Sequence, residues 1–556
     1  MKSMIAQGVA PLLAALLLTA CAAPEFKQPA IEVPVAFKEA AAPVRIAADG
    51  STWQAAQAAE AQPRGEWWLA FNDPALNALV AEATRANANL AVAAARVKQA
   101  RAIAGIAEAD RIPQVGVGVG AQRQRQSDVA LGLPAGTPVA PGNVFSAQLT
   151  ASYEVDLFGR VSSNVGAARN DAASIEATYR SVLLSVQADV AQTYFRLRAT
   201  DAELETLDRT VRTREENVKV NQRRFDLGDI GEFDLSRART ELATSRAEAI
   251  GLQRQRSTTE HALAVLLGKP AASYTAGASP LLDTALMPAI PAGLPSSLLQ
   301  RRPDIAAAQR AMEASNARIG VARSAMFPAL TLNASAGGAS GNTVADVFKW
   351  SSRSWVLGAL MSMPLIDGGR NKANIARSEA ALEESVGAYR QNVLVAFAEV
   401  EDNLAGLRIL AGQTEQIDAA VVSARRSSDL AQKLYDAGRS SYLELLDAQR
   451  NLAAVERGAV QLRGNRAVTT VALIRALGGG WDSATPGATT AASAGAPAVA
   501  PTSVPAPALA LTSASAPALA LTSASATAPA PALASMSATA PVSAASPARA
   551  PTLAGR

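Results

Sequence analysis

The sequence is poor in the residues from which most catalytic and metal sites are built. Its 556 residues include one cysteine and one histidine, so no disulfide can form within the chain and no His- or Cys-based metal cluster is possible. His261 lies near the end of a predicted helix, without a phosphate-binding loop, serine elbow or zinc-binding helix motif beside it. We therefore predict that the protein is not an enzyme and uses no metal or cofactor.

An excess of charge of one sign is also absent. The 52 basic and 48 acidic residues leave a net charge of +4, and they are interspersed as on solvated coiled-coil surfaces. No nucleic-acid partner is expected, because such a protein shows a basic face or stripe. Aromatic residues make up 4% of the chain, which suits closely packed helices better than a thick globular core.

The apolar run at the start of the chain is too short for a membrane-spanning helix. Lys2 precedes it, and residues 18–21 read Leu-Thr-Ala-Cys. The pattern resembles a bacterial lipoprotein signal, which implies removal of residues 1–20 and attachment of lipid such as palmitate to Cys21. An ordinary secretory signal with a chance cysteine is the alternative. Ala22, in place of aspartate, resembles the outer-membrane address of such lipoproteins.

What the sequence does contain is a strand that leads directly into a very long helix. From Phe145 to Val155 apolar and polar residues alternate, which is typical of a strand with one apolar and one polar face. Residues 161–227 then hold a single glycine. Apolar residues recur every seven positions, as in a coiled coil, at Val190, Leu197, Leu204, Val211, Val218 and Phe225. Such a helix would span about 100 Å at about 1.5 Å per residue.

This strand-and-helix unit occurs twice. Gly369–Arg370 repeats Gly159–Arg160 at an offset of 210 (369 − 159), and Gly438 repeats Gly228 at the same offset. A constant offset over about a hundred residues indicates an internal duplication. Further alternating stretches predict strands over residues 115–121, 330–336 and 355–363, which gives four strands per chain.

These patterns define the expected domain organisation. One helix is expected from Leu76 to about Asp110 in the first repeat, and each repeat has a helix, a β-hairpin and a long helix pair. The composition of the C-terminal tail predicts disorder. The expected segments are a signal peptide (1–20), an acylated leash (21–65), repeat 1 (66–269), a connector (270–293), repeat 2 (294–482) and an Ala-, Pro-, Ser- and Thr-rich tail (483–556).

Four strands with an apolar face cannot rest in lipid as an open sheet, because the edge strands carry unpaired backbone groups. Closure must come from other copies of the chain, and about twelve or sixteen strands leave a channel where about eight do not. The predicted fold class is a mixed membrane β-barrel that continues into a long α-helical coiled-coil tunnel. The helix turns at Gly228 and Gly438 are then the far mouth of the tunnel.

Several longer motifs support a resemblance to a known family. They read Trp-Trp-x-x-Phe-x-Asp-Pro at 67–74, Tyr-Glu-Val-Asp-Leu-Phe-Gly-Arg at 153–160, Leu-x-x-Arg-Arg-Pro-Asp-Ile at 298–305, Pro-Leu-Ile-Asp-Gly-Gly-Arg at 364–370 and Tyr-Asp-Ala-Gly-Arg-Ser-Ser-Tyr-Leu-Glu-Leu-Leu-Asp-Ala-Gln-Arg at 435–450. Over residues 18–481 the chain resembles the outer-membrane efflux channels of the TolC/OprM type, in particular the NodT-like lipoproteins.

The resemblance implies a homotrimer with a twelve-stranded barrel in the outer membrane of a Gram-negative bacterium. It implies two protein partners, a periplasmic membrane-fusion adaptor and an inner-membrane RND-type pump, besides the outer-membrane lipid. The implied function is passive export of drugs or other small compounds, hence multidrug resistance.

The resemblance also implies that inward-bent helices close the periplasmic end of the tunnel. By position, the matching gate candidates are Leu443, Asp447, Arg450, Asp234 and Arg237. We hypothesise that Asp447 and Arg450 make constriction contacts that adaptor binding loosens. The alternative is a solvated helix end with exposed ion pairs worth about 0–1 kcal/mol. Gly228 and Gly438 mark the helix-turn tips at which the adaptor is expected to dock.

Two other functions stay open on the sequence. A channel of the same fold would serve type I-like protein secretion, which export assays in a deletion strain would reveal. A periplasmic coiled-coil scaffold lipoprotein would explain the helices but not the four alternating strands. Heat-modifiable migration of an outer-membrane trimer on a gel separates a channel from a scaffold.

Overall fold

The computed structural model describes residues 26–39, 66–280, 288, 290, 299 and 301–479. Cys21, the predicted signal peptide and the predicted tail lie outside the described residues. A short 3₁₀ helix at Trp67–Phe71 precedes the first α-helix. In chain order the longer elements are α1 (Pro74–Ala86), α2 (Ala88–Ala109), β1 (Gln114–Gln124), β2 (Gly142–Val155), α3 (Arg160–Asp226), α4 (Glu232–Leu266), α5 (Pro303–Ser324), β3 (Ala329–Ser340), β4 (Arg353–Ser362), α6 (Arg370–Asp436) and α7 (Tyr442–Ala476).

The lengths of the helices confirm the internal duplication. The long helices α3 and α6 have 67 residues each, and the returning helices α4 and α7 have 35 each. Their boundaries keep the offset of 210 at both ends (370 − 160 and 436 − 226). Gly159 and Gly369, the residues before α3 and α6, have φ angles of 74° and 85°. Glycine adopts this left-handed conformation at little cost, so each strand can pass abruptly into its helix.

The four strands form one antiparallel sheet in the order β1-β2-β3-β4. One row across the sheet reads Val117, Leu149, Ala336 and Trp355, and the neighbouring row, on the other face, reads Gly118, Gln148, Gly337 and Ser354. The apolar face is open to solvent in the single chain, where Val117 and Trp355 are each 77% exposed. Within the described residues β1 and β4 pair on one side only, so the sheet has two open edges.

The strand β4 departs from the simple alternation. Val356 and Leu360 lie on its otherwise polar face and are 63% and 61% exposed. None of the helices in the described part of the chain combines the length and the apolar composition that a membrane crossing requires.

The largest hydrophobic core lies midway along the long helices. It joins the Trp67–Phe71 helix to the middle of α3, the end of α4, and the corresponding parts of α6 and α7. The aromatic rings of Phe71 and Phe195 are 5.0 Å apart, and Leu197 is fully buried. This core fixes the relative positions of the two repeats, with the sheet at one end of the helices and the two helix turns at the other.

The helix expected from Leu76 to about Asp110 is divided at Asn87. The backbone of Asn87 is extended, with φ −67° and ψ 126°, and its side-chain oxygen accepts hydrogen bonds from the amides of Asn89 and Leu90. Asparagine is a favoured N-cap because its short side chain satisfies the free amides of a helix start. Helices α1 and α2 are therefore separate, a difference that the apolar periodicity alone did not predict.

The seven-residue pattern along α3 is buried only in part. Val190 and Leu197 are fully buried, Leu204, Val211 and Val218 are intermediate, and Phe225 is 37% exposed. The burial of this pattern thus falls from the central core toward the helix turn.

Residues 26–39 of the predicted leash run along α6. The side chain of Gln28 donates to the hydroxyl of Tyr389 (3.1 Å), and the amides of Lys38 and Glu39 donate to the carboxylate of Glu401 (2.7 and 2.9 Å). Phe37 is 5% exposed and joins the central core. This part of the leash is therefore packed against repeat 2.

Candidate functional site

The two helix turns have the same backbone design. Gly228 follows α3 with a φ angle of 80°, and Gly438 follows α6 with a φ angle of 69°. In the first turn the amides of Gly228 and Asp229 donate to the carbonyls of Phe225 and Arg224 (2.9 and 2.8 Å), which satisfies two free carbonyls of the helix end. The equivalent pair of hydrogen bonds, at 3.0 and 2.8 Å, closes the second turn. Each turn reverses the chain through a left-handed glycine.

A small hydrophobic cluster lies behind the turns and joins the two repeats. It consists of Ala238 from α4 and of residues from α6 and α7, namely Tyr435, Tyr442, Leu445 and Leu446. The hydroxyl of Tyr435 donates to the side chain of Asn221 on α3 (3.0 Å), and the buried side chain of Asn217 donates to Gln449 on α7 (2.8 Å). Burial raises the pKa of Tyr442 to about 12. The two hairpins therefore meet as one packed unit.

Glu241 on α4 is the centre of a charged cluster beside these residues. Its carboxylate accepts a hydrogen bond from Arg214 of α3 (2.7 Å), and Arg214 also donates to its backbone carbonyl (3.0 Å). Arg450 of α7 forms two further hydrogen bonds with the carboxylate, one from Nε at 3.1 Å and one from Nη2. Glu241 is 8% exposed, so the carboxylate is held between two guanidinium groups away from most of the solvent.

The cluster shifts the ionisation of its members. The hydrogen bond from Arg450 and the positive charge of Arg214 together hold the pKa of Glu241 below its usual range, although burial acts in the opposite direction. The same hydrogen bond raises the pKa of Arg450. Both groups are therefore more firmly charged than in water, and the cluster holds α7 of repeat 2 against α4 of repeat 1.

The structure brings together only some of the gate candidates. Asp447 lies 3.7 Å from Arg450, which forms the bridge to Glu241. Arg237 is half-buried, lies 5.5 Å over the ring of Phe233, and adds to the charge that lowers the pKa of Glu241. Asp234 lies in the first turn of α4, where its amide donates to the carbonyl of Gly231 (3.3 Å). Leu443 is 41% exposed.

Glu241 and Arg214 were missed by the sequence analysis. A second Arg–Glu pair of the same kind, Arg457 with Glu248 (3.0 Å), lies one heptad further along both helices. Both pairs have the same separation of 209 residues (450 − 241 and 457 − 248). Two arginines and two glutamates at this heptad spacing on the returning helices were the signal available in the sequence.

The described residues offer no group of three or more His, Cys, Asp or Glu side chains that could hold a metal ion. The Glu241 cluster pairs one carboxylate with two guanidinium groups, which suits a mechanical contact between helices. The hydrogen bonds between them are charge-assisted and join α4 to α3 and α7.

Comparisons with known proteins agree with this architecture. The family described as outer membrane efflux protein matches residues 79–269 and 294–479, one stretch in each repeat. The cation efflux system protein CusC of Escherichia coli O6:H1 is 33% identical over 475 residues, which cover 85% of this chain and 98% of the relative. The toluene efflux pump outer membrane protein TtgI of Pseudomonas putida is 33% identical over 473 residues, with coverages of 85% and 98%.

A solved structure shares the fold. The CmeC outer membrane channel of Campylobacter jejuni superposes with a TM-score of 0.75 at 24% identity, over 83% of this chain and 95% of that one. The family match extends over both repeats, and the alignment with CusC covers 98% of that protein. The similarity therefore extends over the entire channel body. The chain therefore belongs to the outer membrane efflux protein family and is an outer-membrane component of an efflux system.

Proposed function

We propose that three copies of this chain close into a twelve-stranded barrel in the outer membrane, with their helices forming a periplasmic tunnel. The observation that carries the proposal is the open four-stranded sheet, with its exposed apolar face and two open edges. Unpaired backbone groups at a sheet edge are costly in lipid, so β4 of one copy pairs with β1 of the next. Twelve strands leave a channel rather than a core packed with side chains.

The helices carry the channel into the periplasm. A helix of 67 residues is about 100 Å long at about 1.5 Å per residue. The turns at Gly228 and Gly438 then face a periplasmic membrane-fusion adaptor, behind which an inner-membrane RND-type pump supplies the energy. The channel itself is a passive conduit without catalytic residues or cofactors.

The transported compounds are small molecules. The relatives CusC and TtgI are a cation efflux protein and a toluene efflux pump protein, and cations and toluene belong to unlike chemical classes. A water-filled conduit selects little by chemistry, because the binding step takes place in the pump. We expect drugs or similar small compounds as cargo, delivered by the partner pump.

The Glu241 cluster acts as the latch of the periplasmic gate. Arg450 joins repeat 2 to Glu241 of repeat 1, and Asp447 lies within 3.7 Å of the same arginine. Asp447 and Leu443 are exposed in the single chain and are available for contacts at the constriction. Docking of the adaptor on the turns would move α7 away from α4 and so weaken the hydrogen bonds between Arg450 and Glu241.

A lipid on Cys21 completes the attachment to the membrane, after removal of residues 1–20. Gln28 is held at Tyr389 on α6, and Tyr389 lies about 30 Å along the helix from its first residue. The chain between Cys21 and Gln28 spans about 25 Å when it is extended. The acyl chains on Cys21 would then have to bridge the remaining distance to the level at which the strands end.

Two measurements test this function. Purified protein from membranes is expected to run as a heat-modifiable trimer and to form pores in planar bilayers. Deletion of the gene is expected to increase susceptibility across a panel of drugs, with wild-type protein restoring resistance. A monomeric, water-soluble product without pore activity would contradict the channel, whereas unchanged susceptibility together with loss of a secreted protein would favour protein secretion.

A further inference from the structure

The loop between β3 and β4 folds back onto the apolar face of the sheet. Gly338 lies on this face, because it is two residues from Ala336 along β3 and pairs with Arg353 of β4. A Cβ atom on Gly338 would overlap the backbone carbonyl of Val347 in the loop, so only glycine allows this close approach. Val347 is itself 4% exposed. The loop therefore covers part of the face that the proposed barrel turns toward lipid.

Two aromatic side chains of this loop point away from the sheet. Phe348 is 74% exposed and Trp350 is 80% exposed. Trp355, which follows in the apolar row of β4, is 77% exposed. Large aromatic side chains gain free energy when they leave water, and tryptophan is enriched where a membrane meets water. The loop therefore extends the apolar face of the sheet at the strand ends that lie away from the helices.

Two cations accompany these aromatic side chains. The guanidinium group of Arg353 lies 4.1 Å from the centre of the Trp350 ring, an arrangement in which the ring face attracts the positive charge. Lys349 stands between the two aromatic residues in the sequence, and its side chain is 66% exposed although it pairs with Asp346 (2.5 Å). Aromatic rings and positive charges thus lie together on one face of the sheet.

The strand ends on this side of the sheet carry a net positive charge. Residues 123–143 and 341–353 contain four cations and two carboxylates, a difference of +2 (4 − 2), namely Arg123, Arg125, Lys349 and Arg353 against Asp128 and Asp346. Asp128 is engaged within its own loop, where it accepts hydrogen bonds from the amides of Val129 (2.9 Å) and Gly136 (2.5 Å). The surplus of positive charge favours an anionic partner.

We propose that residues 344–353 bind anionic lipid of the outer leaflet. Phe348 and Trp350 enter the lipid, while Lys349 and Arg353 bind the phosphate groups of the lipid headgroups, for which the guanidinium fork is well shaped. Residues 125–141, the corresponding loop of repeat 1, contain no aromatic residue, so a trimer would hold three such sites. The inference rests on the proposed barrel, which places the apolar face in the membrane.

Quenching of tryptophan fluorescence by brominated lipid measures whether the loop enters the membrane. The full-length protein is reconstituted in phosphatidylcholine bilayers with and without bromine on the acyl chains, and the quenched fraction of the emission is compared. Trp350→Phe and Trp355→Phe should each lower this fraction. An effect of Trp355→Phe alone would overturn the inference and leave the barrel standing. If neither substitution changes the fraction, the proposed barrel fails together with the inference.

The lipid retained by the protein tests the phosphate contact. Native mass spectrometry of protein released from bilayers with equal amounts of phosphatidylglycerol, which is anionic, and phosphatidylcholine, which is neutral overall, counts the bound molecules of each. The wild type should retain phosphatidylglycerol preferentially, and Lys349→Gln with Arg353→Gln should lower this preference by about tenfold.

The matched control for this measurement removes two cations elsewhere. Arg390→Gln with Lys433→Gln takes the same charge from exposed positions on α6 and should keep the preference for phosphatidylglycerol. Equal retention of the two lipids by the wild type would overturn the proposal. An unchanged preference after Lys349→Gln with Arg353→Gln, or an equal loss in the control, would overturn it as well.

Discussion

The helix pairs α3–α4 and α6–α7 have equal lengths and matching turns, but their side-chain contacts differ. In repeat 1 Glu215 of α3 pairs with Arg246 of α4 (2.6 Å). At the equivalent positions of repeat 2 the charges are exchanged, and Arg425 of α6 pairs with Glu456 of α7 (2.7 Å). The offset is 210 for both partners (425 − 215 and 456 − 246). The duplication kept the backbone and the contact, while the polarity of an exposed pair was free to change.

The cluster around Glu241 has no counterpart of the same chemistry in the sequence of repeat 2. Asn451 stands where repeat 1 has Glu241, and Ala424 stands where repeat 1 has Arg214. The equivalent of Arg450 in repeat 1 is Thr240. Within the described residues, this charged cluster therefore joins positions of the two repeats that are not equivalent. The duplication accounts for the two helix pairs and their turns. The charged contact between the pairs arose from later substitution of individual side chains.

In both repeats a side chain donates a hydrogen bond to the backbone carbonyl of the last residue of the returning helix. This shared contact gives the strongest test of whether the two repeats are equivalent. The side chain of Asn87 donates to the carbonyl of Leu266 (2.8 Å), and Arg302 donates to the carbonyl of Ala476 (3.0 Å). In each repeat a glycine that follows the returning helix, Gly268 or Gly478, packs closely against the backbone beside this hydrogen bond. A Cβ atom on Gly268 would lie 2.3 Å from the carbonyl oxygen of Ala86, and one on Gly478 would lie 2.9 Å from that of Arg301.

Gly268→Ala is expected to have the largest effect, a destabilisation of at least about 3 kcal/mol, because the left-handed backbone and the clash act together. Gly478→Ala should cost less, because its clash is milder. Thermal unfolding followed by circular dichroism in detergent measures both. Gly251→Ala, at a helical position with open space, is the control and should be neutral or slightly stabilising. Equal losses for Gly268→Ala and Gly251→Ala would contradict the argument.

Glu241→Gln is expected to weaken the latch by about 2 kcal/mol, because two guanidinium groups lose their charged partner. Channel conductance in planar bilayers should rise. Glu215→Gln is the matched control on α3, since its single partner Arg246 has a side chain that is 56% exposed. Unchanged conductance with Glu241→Gln would rule out the latch.

The pH dependence of the latch follows from the lowered pKa of Glu241. A carboxylate with a lowered folded-state pKa contributes stability above its unfolded value of 4.5, and this contribution is lost as the pH falls through the folded-state value. Wild-type conductance should therefore be steady near neutral pH and rise only below about pH 4.5. Glu241→Gln should already conduct more at neutral pH and should lack this rise in acid.

The starts of the two returning helices differ by one cap. Ser441 and Glu444 form a capping box before α7, with hydrogen bonds of 3.3 and 3.1 Å, whereas α4 begins after Gly231. Ser441→Ala is expected to destabilise the start of α7 by about 1 kcal/mol, and Gly231→Ser should stabilise the start of α4 by less. Hydrogen exchange of the amides in the first turn of each helix measures both effects. Exchange should become faster in Ser441→Ala and slower in Gly231→Ser.

The smallest effect is expected for the exchanged ion pairs. Reversing Glu215 alone to Arg should cost about 0.5 kcal/mol, because it places two cations together on the surface. Adding Arg246→Glu should restore stability, since it recreates the polarity found in repeat 2. A double-mutant cycle on the thermal midpoint measures the coupling. Failure of the second substitution to recover the loss would show that the two repeats differ around this pair.

Much of the fold could be predicted from the sequence because the signals are local. Alternation marked the strands around Val117 and Leu149, and the offset between Gly159 and Gly369 located both long helices to within one residue. The division at Asn87 was missed, since apolar periodicity continues across it and only the cap geometry reveals the break. Membership of the efflux family was likewise predictable, because its motifs are continuous in the chain.

The gate candidates show where sequence reasoning stopped. Asp447 and Arg450 were named as candidates because they follow the Gly438 turn, but Glu241, the principal partner of Arg450, lies 209 residues away from it in the chain. Phe225 continues the seven-residue pattern of α3 and is nevertheless 37% exposed. Periodicity describes one helix, and it contains no information on which neighbour covers each face.

By itself, the sequence determined the lengths of the two long helices, the order of the strands and helices and their duplication, because hydrophobic period and glycine position act through the covalent chain. Only the tertiary structure decided that Glu241 meets Arg214 and Arg450, and that Tyr435 meets Asn221. Such contacts join residues far apart in the chain. Their energy depends on distance and burial, which arise only once the helices have packed.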